Sequence, residues 1–154
     1  MTALLFGLGI MIGLLVVAWA AHVHTITWSK GSESVPSQVT VTTDGEKNYD
    51  GTVPASTTDQ FIGFTINKDN MRSLFILSTT DLTLETNSGS APVNTISLKA
   101  NKPLIYRTID DTSSTPAPGF ANPFAGGNVT ALYATNATGG AATLTIRALE
   151  DLTP

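Results

Sequence analysis

From His22 to the end of the chain, apolar and polar side chains take alternate positions in short runs, the two-residue period of strands that bury one face. That alternation excludes an extended helical body, because no run carries the 3.6-residue spacing of an amphipathic helix. His24, Ile26 and Trp28 form one such set, and Val39 and Val41 alternate with Thr40 and Thr42. Ile62, Phe64 and Ile66 follow, as do Leu82 with Leu84, Ile96 with Leu98, and Leu104 with Tyr106. The clearest runs are the last two, Val129-Ala131-Tyr133 and Ala142-Leu144-Ile146-Ala148. Ser73–Ser78 is apolar at both parities, which suits a central strand covered on two sides.

Turn signals punctuate these runs about every ten residues: Gly31-Ser32, Asp44-Gly45, Asp50-Gly51, Asn87-Ser88-Gly89, Asn101-Lys102-Pro103 and Gly139-Gly140. Thr and Ser supply 36 of the 154 residues, a usage that favours half-exposed strands over helices. The expected fold is all-β: an antiparallel β-sandwich, jelly-roll or immunoglobulin-like, occupying residues 22–154. The stretch Asn136–Gly140 reads as a hairpin loop that pairs the last two strands, with the final strand inside its sheet.

Ahead of this body the chain changes solvent. Residues 3–21 hold no charge, amide or proline, and as a helix they would extend about 28 Å, enough for a bilayer's hydrocarbon core. The expected first unit, residues 1–21, is one hydrophobic helix. Three readings stay open for it: a retained membrane anchor, with Gly9 and Gly13 at G-x-x-x-G spacing as a helix-contact pair; an export signal cleaved after Ala18-Trp19-Ala20; or a start placed upstream of the true one. The first charged side chain is Lys30, so nothing fixes an orientation.

The charge balance is 8 basic against 12 acidic side chains, a formal −4, with no basic cluster, which argues against nucleic acid as a partner. There is no cysteine, and the two histidines, His22 and His24, stand together beside the apolar run. Standing there, neither is expected to serve as the base of a distant nucleophile, and two imidazoles fall short of a metal's ligand set. No phosphate-binding glycine loop and no calcium loop occur, so neither catalysis nor a cofactor nor a metal is expected. Arg147 is expected to face water or to pair with Glu85 or Asp151. Asn128-Val129-Thr130 and Asn136-Ala137-Thr138 match the glycosylation pattern, of little weight in a Thr-rich chain. Residues 110–127 break the rhythm with three prolines, three glycines, Phe120 and Phe124. This long loop reads either as a surface excursion or as a docking element whose two rings meet a neighbouring subunit.

Asp81–Tyr106 (DLTLETNSGSAPVNTISLKANKPLIY) and Asn128–Asp151 (NVTALYATNATGGAATLTIRALED) resemble small virion proteins of tailed bacteriophages. The likeness lies in a Leu-x-Thr-Asn-Ser turn, a Leu-Lys-Ala-x-Lys-Pro-Leu strand and a closing Thr-x-x-x-Arg-x-Leu-x-Asp strand, and it covers about residues 22–154. It implies a non-enzymatic decoration or minor capsid component on the virion surface. Such a subunit would form a homo-oligomer, a trimer among the options, and contact capsid proteins. The rival expectations are a membrane-anchored or secreted binding module whose loops hold a ligand such as a carbohydrate, and a pilin-like subunit. The latter lacks the glutamate five residues into its helix.

Overall fold

The computed structural model describes residues 20–30, 32–108 and 121–152, and among them every regular element is a β-strand. The strands are β1 (Ala20–Lys30), β2 (Glu33–Thr43), β3 (Gly45–Val53), β4 (Thr57–Ile62), β5 (Met71–Ser78), β6 (Leu82–Thr86), β7 (Thr95–Leu98), β8 (Leu104–Arg107), β9 (Leu132–Asn136) and β10 (Ala142–Glu150). They form a two-stranded ribbon, β1-β2, and two four-stranded sheets in the orders β3-β10-β5-β8 and β4-β9-β6-β7. All pairings are antiparallel.

The pairing is nested. β3 lies with β10, β4 with β9, β5 with β8 and β6 with β7, so the body is one long hairpin doubled back at β6-β7. β10·β5 and β9·β6 then close each sheet, and of the connections from β3 to β10 only β6–β7 stays within its own sheet. Alternation dictates what lies between the sheets. Leu74 and Ile76 from β5, Leu144 and Ile146 from β10, Leu84 from β6, and Leu132 and Ala134 from β9 are fully buried in one shared cluster. The apolar character of β5 at both parities is explained too: it runs between β10 and β8, and Phe75 on its outer side lies half-buried beneath the ribbon.

Several expectations are corrected. Asp50-Gly51 is no turn but the middle of β3, a strand that the sequence signals do not disclose. Asp50 does not bend the chain because β10 occupies its carboxylate: Thr145 Oγ donates to Oδ1 at 2.9 Å and Arg147 to Oδ2 at 2.7 Å. Gly51 sits under the Tyr49 ring, where a Cβ would come within 2.1 Å of Tyr49 Oη. The last two strands do not pair with each other, since β9 and β10 belong to different sheets. The Asn136 amide turns the chain from one sheet to the other by donating to Val53 O, Pro54 O and Gly140 O. The final strand is nonetheless interior, between β3 and β5. Ile66 and Val129 lie outside the strands and meet in an isolated bridge that closes one end of the core. β1 takes in Ala20 and Ala21, which the apolar run had claimed.

The two rings of the Pro/Gly loop have different standings. Phe120 lies outside the described residues, as do Gly9, Gly13 and the apolar residues before Ala20. Phe124 is fully buried in the chain's own core, so it is not an exposed docking ring. Asn122 accounts for this. Its Oδ1 accepts from Phe124 N at 2.8 Å and its amide donates to Lys68 O at 3.2 Å, folding the loop's second half over the end of the sandwich. No helix among the described residues is long and apolar enough to cross a membrane.

Candidate functional site

The element that the body's own hydrogen bonding leaves unaccounted for is the ribbon. β1 and β2 pair at eleven successive positions, from Ala20↔Thr43 to Lys30↔Glu33, and among the described residues neither has a further strand partner. Eleven residues span about 35 Å. A two-stranded ribbon is marginally stable in water without a surface to lie on, and its outer edges carry unpaired backbone donors and acceptors. Its register also sorts composition by row: His24↔Val39, Ile26↔Ser37 and Trp28↔Val35 alternate with Thr25↔Gln38, Thr27↔Pro36 and Ser29↔Ser34. This agrees with grouping His24, Ile26 and Trp28 together, although their burial lies outside what the structure describes.

At its base the ribbon is seated on the outer face of the β3-β10-β5-β8 sheet. Val41 and Thr43 are fully buried, whereas Val23 is 56% exposed. A shallow recess of about 360 Å³ opens beside this seat, lined by Ala21, His22, Val23, Glu46, Phe75 and Arg147. His22 is the polar hinge of the arrangement: Nδ1 lies 3.2 Å from Ser73 Oγ on β5, and Nε2 is 3.9 Å from Glu46 Oε1 on β3. Burial pulls the imidazole below its ordinary pKa, with help from the Arg147 guanidinium, and outweighs the upward pull of Glu46. The neutral ring is therefore the one that suits the docked ribbon.

The sign of the pH dependence follows. With its folded pKa depressed, His22 contributes its full share to ribbon docking above about pH 6.5, the unfolded value, and loses it as pH falls through the folded value. Acidification from pH 7.5 to 5.5 is expected to speed hydrogen exchange at the base of β1 and β2, corrected for intrinsic rates, while β10 stays protected. In His22→Gln this difference between ribbon and body should vanish. A ribbon that loosens equally in His22→Gln would locate the sensor elsewhere.

The other polar groups noted in the sequence have structural occupations. Arg147 pairs with Asp50 at 2.7 Å and donates to Tyr49 O, rather than meeting Glu85 or Asp151. Asp151 instead pairs with Arg72 at 2.5 Å. Asp44 Oδ1 accepts from Leu152 N and ties down the chain end. Asn136 is buried, so its glycosylation match is out of reach of a modifying enzyme in the folded chain, whereas Asn128 is exposed and accepts from Lys68 N. Among the described residues no three His, Asp or Glu side chains are grouped to hold a metal ion. The role of His22 had no local signal in the sequence, because Ser73 and Glu46 are brought to it from 51 and 24 positions away. No family model, curated protein or solved structure matches the chain.

Proposed function

We propose that this chain is a non-enzymatic structural subunit of a tailed-bacteriophage particle, a capsid decoration or minor capsid component, which assembles through its β1-β2 ribbon. The observation that carries the reading is the ribbon itself: eleven paired positions whose two outer edges have no strand partner among the described residues. An arm of that kind gains most by lying on another copy, where its backbone edges find partners.

The body supports the same reading. The nested pairs β3·β10, β4·β9, β5·β8 and β6·β7, distributed over two sheets as β3-β10-β5-β8 and β4-β9-β6-β7, support the jelly-roll form of the sandwich over the immunoglobulin-like one. That architecture recurs in capsid proteins, and also in lectins and cupins, so it favours the shell role without requiring it. The resemblance of Asp81–Tyr106 and Asn128–Asp151 to phage virion proteins points the same way.

The test is the assembly state of the full chain in mild detergent, by size-exclusion chromatography with light scattering. The expected result is a defined homo-oligomer. Removing residues 24–39 and joining Val23 to Thr40, which are register partners, through an Asn-Gly turn should give a monomer with an unchanged β-type circular dichroism spectrum. A monomeric parent chain, or a shortened chain that assembles as well as the parent, would refute the reading and leave the anchored or secreted binding module in its place.

A further inference from the structure

The outer face of the β4-β9-β6-β7 sheet carries a feature that the assembly reading does not use. Strand register lines up Phe61, Tyr133, Glu85 and Thr95 in one row across all four strands. The next row holds Thr135, Thr83 and Ser97. Asp59 is clipped to it, with Asp59 N donating to Thr135 Oγ at 3.1 Å and Thr135 Oγ donating to Asp59 Oδ1 at 3.2 Å.

Phe61 is the outward neighbour of buried Ile62 and is 62% exposed. Its ring stands edge-on to Tyr133, with centroids 5.7 Å apart and planes at 70°. The register of β4 slips between Thr57 and Gln60, and Asp59 there has φ 52°. This bulge turns its carboxylate toward the sheet face, where Thr135 Oγ donates to it and Glu85 lies within reach of its negative charge. Partial burial, then the negative charge and hydrogen bond of Asp59, push the Glu85 carboxyl above its ordinary range. Two carboxylates on one face repel one another, and a cation between them would relieve that repulsion. Neither row contains a lysine or arginine, and Lys99, which lines a recess with Thr83, Ser97 and Thr135, is held by Asp81 at 2.7 Å.

We propose that Phe61, Tyr133, Asp59 and Glu85 form a docking site for a cationic side chain, an arginine or lysine on a basic segment of a partner protein. A guanidinium or ammonium would relieve the repulsion between the carboxylates and lie against the two rings. Charge complementarity selects this occupant over a neutral sugar, which could stack on the rings but would leave the paired carboxylates without a counter-charge. The partner's place in a particle rests on the reading above; the chemistry of the site does not.

The experiment is calorimetric titration of the full chain with a hexa-arginine peptide at 20 and 200 mM salt. One saturable site is expected, weakened by salt. Phe61→Ala and Glu85→Gln, both on the solvent face, should each lower the affinity about three- to tenfold with unaltered thermal melting. Asp81→Asn, an acidic position on the same sheet, should leave it unchanged. Absence of saturable binding, or equal loss in Asp81→Asn, would overturn the proposal. So would salt-insensitive binding of neutral maltohexaose that Phe61→Ala abolishes, which would mark a sugar platform instead. The ribbon-shortened chain should still bind the peptide, so failure here and failure of the assembly reading are separable.

Discussion

Lys47→Met is expected to lower the free energy of unfolding by about 3 kcal/mol, the lower end of the range for breaking a buried ion pair by removing one partner. Lys47 Nζ lies 2.7 Å from Glu150 Oε2, with the carboxylate side chain only 1% exposed and the lysine 35% exposed. The same ammonium donates to Thr65 O at 2.9 Å, and Glu150 Oε1 accepts the backbone N–H of Asn67. This knot joins β3, β10 and the segment after β4 at one end of the sandwich. Losing the lysine leaves the buried Glu150 side chain without its partner where water does not reach. Losing the carboxylate is the milder change. In Glu150→Gln an acceptor for Asn67 remains and Lys47 turns into solvent, so a cost of about 1 kcal/mol is expected. Urea denaturation of both variants decides the matter. Equal losses would mean that the pair acts through packing and not through its charges.

That knot also shows why β3 escaped detection. Its sequence, GEKNYDGTV, presents Gly45, Lys47, Tyr49, Gly51 and Val53 at the inward parity, of which only Val53 is a fully buried apolar side chain and Tyr49 packs half-buried against the core. Lys47 faces inward to meet Glu150, which lies 103 positions away, and Gly51 yields its space to the Tyr49 ring. Strands whose inward residues are plainly apolar are legible, β6 and β10 from their period and β5 from being apolar at both parities. Strands that use a charge and glycines to fit a distant partner are not. The same distinction separates Phe124 from an interface residue: Asn122 and Lys68 draw it into the core, and Lys68 lies 54 positions from Asn122. As for the ribbon, alternation disclosed its strands, but nothing in a one-dimensional pattern says that two strands will pair only with each other. The bulge that brings Asp59 to Glu85 likewise left no mark in the sequence beyond two acidic residues 26 positions apart.

Asn136→Ala is expected to cost about 3–5 kcal/mol, because the amide is fully buried and every polar atom of it is engaged. Nδ2 donates to Val53 O at 3.2 Å, Pro54 O at 3.0 Å and Gly140 O at 2.9 Å, while Oδ1 accepts from Thr138 N at 3.0 Å and Thr138 Oγ at 2.7 Å. Val53-Pro54 begins the crossing from β3 to β4, and Gly140 lies on the crossing from β9 to β10. One side chain thus holds both crossings where the nested pair β3·β10 passes into the pair β4·β9. Alanine would take the amide donor from Val53 O and Pro54 O, while Gly140 O keeps the Thr138 hydroxyl at 2.9 Å. Asn136→Asp should be at least as damaging despite its shape, since a carboxylate cannot donate and would face three carbonyl oxygens. Urea midpoints for the two variants, with Thr138→Val as a partial disruption of about 1 kcal/mol, would rank the contributions. A loss below about 1 kcal/mol in Asn136→Ala would show that the Ser56 N to Thr138 O bond and the strand pairs hold the corner without it.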